Sequence, residues 1–198
     1  LTILMSVVLM IHAARAYNTQ FVALFWSAGM VLGILREITF SGIMKLYQFG
    51  DFNLVLFGLP LIFALFWTNL IYVAWQWSNN FLDSEYLKAK TWDYNLPLIF
   101  MTMVLLSFFL EPLFSMHNLI IWRITSPHTF WGQTPILSPF AYGFTAVGFM
   151  SSLKILSIEL PQKWQILILK MLVVQPLVIL VILGFLFIIN LSIILAFS

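Results

Sequence analysis

The chain has 198 residues, of which 62% are hydrophobic and only 8% charged. Soluble domains carry about 25% charged residues, so the composition is that of a polytopic membrane protein. A net charge of +2 spread over nine basic residues forms no nucleic-acid-binding stripe, and the absence of cysteine excludes disulfides and thiolate chemistry.

A membrane-spanning helix needs about 20 apolar residues, and six candidates follow in order. Residues 1–17 form a short first segment. Ile3 to Ile11 has the length of a signal-peptide core, but no small-residue cleavage site follows, so it is read as a membrane segment. The second helix spans 21–37 and places Gly29, Gly33 and Glu37 at four-residue spacing. The two glycines make a face that another helix can approach closely, and the same face carries Glu37 to the membrane boundary. A polar connection broken by Gly42 and Gly50 leads to a third helix, 54–77, with Asn69, Tyr72 and Gln76 on one stripe. Residues 79–95 are the most hydrophilic stretch and read as a solvent-exposed loop.

The fourth helix, 96–122, carries Glu111 inside an apolar run and next to Pro112. An ionisable group there costs at least about 2.5–3.5 kcal/mol, which makes it a functional candidate by default. Ser107, Glu111, Ser115, Asn118 and Trp122 recur at spacings of three and four and share a face. Pro112 also frees a backbone carbonyl one turn earlier. The next connection is rich in Pro, Gly and aromatic residues. A fifth helix at 140–156, with Tyr142, Thr145 and Ser152 near one face, a short amphipathic link and a long apolar helix at 166–197 complete the chain. The expected fold is all-α: a single-domain bundle of about six transmembrane helices, multi-pass in the cell membrane. Loop Lys and Arg divide six against three, which places both termini outside. Glu37, 42–49, 58–60 and 122–139 then share one side of the membrane, with Glu111 below them.

Each motif has a plain reading beside the functional one. Glu37 could form a helix-end ion pair with Arg36 at the headgroups, and Glu111 could satisfy polar groups on a neighbouring helix. His12, His117 and His128 lie on separate segments without metal-ligand spacing, and no phosphate loop, nucleophile elbow or paired-Asp prenyl-diphosphate motif is present. Neither a metal nor any other cofactor is expected.

The order Glu37, Ser41-Gly42, Tyr47-Gln48-Phe49, Gly58-Leu59-Pro60-Leu61, Trp67, Glu111-Pro112, Trp122 and Trp131-Gly132-Gln133-Thr134-Pro135 resembles the integral-membrane carotenoid biosynthesis family that includes the bisanhydrobacterioruberin hydratases. The resemblance covers about residues 26–150. It implies a cofactor-free hydration of the terminal C=C of an acyclic carotenoid, by protonation and capture of the tertiary cation by water. Glu111 would be the acid that holds its proton in hydrocarbon, and Glu37, nearer water, the base. Tyr47, Phe49, Trp67, Trp122 and Trp131 would present ring faces to the cation, with Tyr72 and Tyr142 as further substrate-binding candidates. The implied partners are a lipid-soluble carotenoid or isoprenoid, membrane lipids and other membrane enzymes of the same pathway. Two other classes stay open: a proton-coupled carrier using Glu111 and Glu37, and a structural subunit of a membrane complex.

Overall fold

The computed structural model describes residues 1–52, 55, 56, 58–82, 92–123, 129, 130, 134–157 and 164–197. These form six helices: α1 (Thr2–Ala16), α2 (Thr19–Glu37), α3 (Leu61–Leu82), α4 (Trp92–Met116), α5 (Ser138–Ser157) and α6 (Trp164–Phe197). Three small antiparallel ribbons join them, pairing β1 (Tyr47–Phe49) with β4 (Ile120–Trp122), β2 (Val55–Leu56) with β3 (Leu59–Pro60), and β5 (Thr129–Phe130) with β6 (Thr134–Pro135). Most of the hydrophilic loop expected at 79–95, the link at 158–163 and the candidate Trp131 lie outside the described residues.

The class is therefore all-α, as expected. Among the described residues, Thr19–Ile43 and Asn95–Met116 are long and apolar enough to cross a membrane, with mean hydropathies of 1.6 and 2.0. Thr2–Ala16 and Val173–Ile188 are shorter apolar helices. The third helix is diluted by Thr68, Asn69 and Ser78, all of them turned into the protein interior.

Local chemistry explains where the helices start and stop. Asn18 caps α2, its Oδ1 accepting the Phe21 N–H at 2.7 Å, one of the donors a helix N-terminus leaves unmatched. Beyond Glu37 the helix does not stop but widens into a π-helical turn, Ile38–Ile43. Met44 N–H there reaches Thr39 O, five residues back, at 2.9 Å. The third helix begins at Leu61 rather than 54, because the β2–β3 hairpin, turning at Gly58 with φ 78°, takes the preceding residues.

The fourth helix ends at Met116, not at Trp122. Asn118 adopts a left-handed φ of 54°, and Leu119 N–H returns to Phe114 O at 2.8 Å while Asn118 N–H returns to Ser115 O at 3.1 Å. That pair of bonds is a Schellman stop, with asparagine in the place usually taken by glycine. The expected polar stripe is thus cut: Ser107, Glu111 and Ser115 lie on α4, Asn118 is its terminator, and Trp122 belongs to β4.

Packing follows the small residues. Gly29 and Gly33 of α2 face Thr68 and Ala64 of α3; a Cβ on Gly33 would lie 2.8 Å from Ala64 Cα. This is the close approach that the glycine spacing predicts. A Gly33→Val substitution is expected to force the helices apart and cost about 1–3 kcal/mol, measurable as a lowered unfolding midpoint in mixed detergent. The second helix also meets α5 and α6, while α4 and α5 pack along each other. The first helix docks on α3 through polar pairs: Asn69 Nδ2 donates to Ser6 Oγ at 2.7 Å, and His12 Nδ1 meets the Tyr72 hydroxyl at 2.8 Å.

The β1–β4 ribbon caps one end of the bundle, with Tyr47 opposite Trp122 and Phe49 opposite Ile120. Two backbone bonds extend it, Arg123 N–H to Leu46 O at 3.0 Å and Gly50 N–H to Leu119 O at 3.2 Å. Gly50 is needed there, because a Cβ would collide with the Asn118 carbonyl.

Candidate active site: a buried arginine between two carboxyl groups

Beneath the cap, four helices bring charged and aromatic side chains together. The end of α2 supplies Arg36 and Glu37, each under 5% exposed. They are adjacent in sequence and form an ion pair, Arg36 Nη1 donating to Glu37 Oε1. The same oxygen accepts the Trp67 indole N–H from α3 at 3.0 Å, and Glu37 Oε2 accepts the Tyr47 hydroxyl. Three donors from three elements thus converge on one carboxylate.

The Arg36 guanidinium lies 3.9 Å from the Trp67 ring centroid, with the Phe40 and Tyr142 rings at 5.2 and 5.4 Å. Stacking on an aromatic face replaces part of the hydration that a buried cation loses. Trp67 therefore serves both members of the pair, its N–H on the anion and its face on the cation. Its ring also meets Tyr142, with centroids 3.8 Å apart.

Glu111, 2% exposed, completes the cluster from α4. The hydroxyls of Ser138 and Tyr142 stand beside its carboxyl group, and Arg36 and Glu37 are within electrostatic range of it. Ser138 and Tyr142 are four apart on α5 and so share a face. Among the described residues, Glu111 Oε2, the Tyr142 hydroxyl, Ser107 Oγ one turn along α4, and Trp122 Nε1 are buried without a hydrogen-bond partner. Native interiors leave few such atoms. The Glu111 oxygen and the Tyr142 hydroxyl beside it mark a place suited to water or to a reacting group.

Tyr47 sits at the boundary between cluster and cap, its ring 5.1 Å from Trp122 and 5.6 Å from Phe49. Burial, reinforced by the Glu37 carboxylate, pushes the Tyr47 phenol well above its ordinary range, so it remains a donor. Among the described residues, no three His, Asp or Glu side chains are grouped to hold a metal ion.

Of the sequence-predicted site residues, the structure gathers Glu37, Tyr47, Trp67, Glu111, Trp122 and Tyr142 at one end of the bundle, with Phe49 adjoining through Tyr47. Three placements differ from expectation. Glu37 is not at a wet helix end, because the π-helical turn carries the chain onward and buries it. Trp122 reaches the cluster from a strand. Tyr72 belongs elsewhere: five residues along α3 from Trp67, about 7.5 Å by helical rise, it pairs with His12 and packs on Phe25 and Trp26.

Sequence reasoning missed Ser138, although Ser-Pro opening a helix four residues before a tyrosine was a usable signal. It also placed Arg36 at the headgroups rather than at the centre of the cluster. Comparison with protein-family models, curated proteins and solved structures finds no match to this chain.

Proposed function

We propose that the chain is a multi-pass membrane enzyme that adds water to the terminal C=C of an acyclic carotenoid or related isoprenoid, with Glu111 as the acid. Six helices crossing the bilayer accounts for the apolar side chains left exposed along α1, α4 and α6, among them Leu4, Val8, Phe109, Leu113, Leu180 and Phe187. A soluble surface rarely leaves so many large apolar side chains exposed.

The observation that carries the reaction is one of charge and hydrogen-bond count. The cluster holds one arginine and two carboxyl groups, so it is neutral when only one carboxyl is ionised. Glu37 accepts from Arg36, Tyr47 and Trp67, whereas Glu111 has only the Ser138 and Tyr142 hydroxyls beside it and an Oε2 without a partner. In this reading Glu37, which holds the Arg36 guanidinium, is the carboxylate, and Glu111 is the group that carries the proton. In the proposed cycle Glu111 gives that proton to the less substituted alkene carbon, and a tertiary cation forms on the other. Water adds to the cation and returns a proton to the Glu111 carboxylate, leaving the tertiary alcohol and the acid restored. No cofactor is consumed.

The rings of Trp122 and Tyr47 are the candidates to face the cation, since Arg36 already lies over Trp67 and Tyr142. Glu37, the base implied by the resemblance, holds Arg36 in this scheme rather than touching water. A long apolar substrate would enter from the bilayer, and association with other membrane enzymes handling the same lipid-soluble compounds fits that route. A proton-coupled carrier built on Glu111 is the competing reading, favoured by the same unpartnered carboxyl oxygen.

Expression in a host that accumulates an acyclic carotenoid separates the two. The enzyme yields a tertiary alcohol whose oxygen carries label from ¹⁸O-water; unchanged pigment in the presence of well-expressed protein rejects hydration. Tyr72→Phe should leave the yield of alcohol unchanged while costing about 0.5–1.5 kcal/mol of stability through the lost His12 bond. A large fall in yield at normal protein level would return Tyr72 to the site.

A further inference from the structure

The strand cap is not closed. A groove of about 360 Å³ opens beside β1, lined in part by Ser41, Gln48, Asp51, Gly58 and Arg123, with Tyr47 in its wall. Its rim is held by Arg123, whose Nε and Nη2 both donate to Gln48 Oε1, at 3.1 and 2.5 Å. The lining combines the polar side chains with the rings of Tyr47, Phe49 and Phe52, Tyr47 and Phe49 turning edge to face. Among the described lining residues, Tyr47 alone is hydrogen-bonded to the buried cluster: its hydroxyl donates to Glu37 while its ring, 4% exposed, lines the groove.

Hydration consumes one water per turnover, and neither the hydrocarbon of a bilayer nor an isoprenoid substrate supplies it. Glu111 and Tyr142 are buried, so water must pass the cap or cross the apolar faces of the bundle. We propose that this groove is the inlet by which water, the second substrate, reaches the buried cluster, and that the Tyr47 side chain is the gate at its inner end. The use of that water rests on the reaction proposed above; the existence of the inlet does not.

The chain contains no cysteine, so a single introduced thiol can be modified cleanly. Ser41→Cys places one in the groove; Ile43→Cys, at a 71% exposed position outside the groove lining, is the control. The readout is deuterium exchange at indole N–H groups in ¹⁵N-tryptophan-labelled protein, with the Trp67 signal assigned through Trp67→Phe. Trp26, whose N–H is bonded to Asn69 at 3.2 Å in another part of the bundle, is the internal reference. Attaching a bulky methanethiosulfonate reagent at Ser41→Cys is expected to slow Trp67 exchange at least tenfold and to leave Trp26 unchanged, with no effect from the control site. Removing the gate with Tyr47→Ala should instead accelerate Trp67 exchange at least tenfold.

Unchanged Trp67 exchange after complete modification at Ser41→Cys, confirmed by mass, overturns the inlet. Unchanged Trp67 exchange in Tyr47→Ala, or equal acceleration of Trp26, overturns the gate. Neither rate depends on a carotenoid. Failure of the hydration reading in the host assay and failure of the inlet are therefore observed separately.

Discussion

Under the hydration proposed above, Glu111→Gln is expected to abolish alcohol formation while leaving the chain folded. Glutamine matches glutamate in size, and its amide can exchange hydrogen bonds with the Ser138 and Tyr142 hydroxyls that stand beside residue 111. The Arg36–Glu37 pair stays intact, so no new unpaired charge is created, and the stability change should remain within about 1 kcal/mol. What the amide cannot do is give up an acidic proton. Loss of a positioned general acid lowers rates by about 10²–10⁴, enough to remove product from a pigment extract. Product per unit of membrane-inserted protein is the measurement, and yield near the parent level would take Glu111 out of the chemistry.

The largest effect on stability should come from Arg36→Met. Methionine fills similar space but leaves the Glu37 carboxylate buried with only the Tyr47 and Trp67 donors. Breaking a buried pair from one side costs about 3–5 kcal/mol, whereas replacing both partners by neutral groups is often close to neutral. Arg36→Met combined with Glu37→Gln should therefore be more stable than Arg36→Met alone, a reversal of simple additivity that a double-mutant cycle in mixed detergent would detect. A double substitution as unstable as the sum of the singles would mean that the two residues do not act as a pair. The cycle also separates structure from chemistry: partial activity in the refolded double substitution fits Glu37 as the residue that holds Arg36, while complete loss points to a direct part in the reaction.

Much of this arrangement was legible in the sequence because apolar length and small-residue spacing are local signals. Six helices, the Gly29–Gly33 face and the exceptional position of Glu111 all follow from residues a few positions apart. What was not legible depended on backbone choices that several residue types can make. An asparagine at position 118 reads as one more polar member of a helical stripe until its left-handed conformation is seen, and only then does Trp122 leave the helix. Residues 38–43 carry no helix-breaking signal before Gly42, so the wider turn that buries Glu37 had no sequence mark. Tyr72 and Trp67 both lie on α3, and only long-range pairing with His12 in one case and Glu37 in the other assigns them to different neighbourhoods.

The π-helical turn after Glu37 also makes the molecule sensitive to chain length at one place. Closing hydrogen bonds to the fifth residue back accommodates one residue more per turn than an α-helix does. One residue added within a helix turns everything beyond it by about 100° about the helix axis. Deleting a single residue within Ile38–Ile43 is expected to restore ordinary pitch and to move the Tyr47 phenol off the Glu37 carboxylate. The alignment of cap and bundle is thus set by a count of residues as much as by their identity.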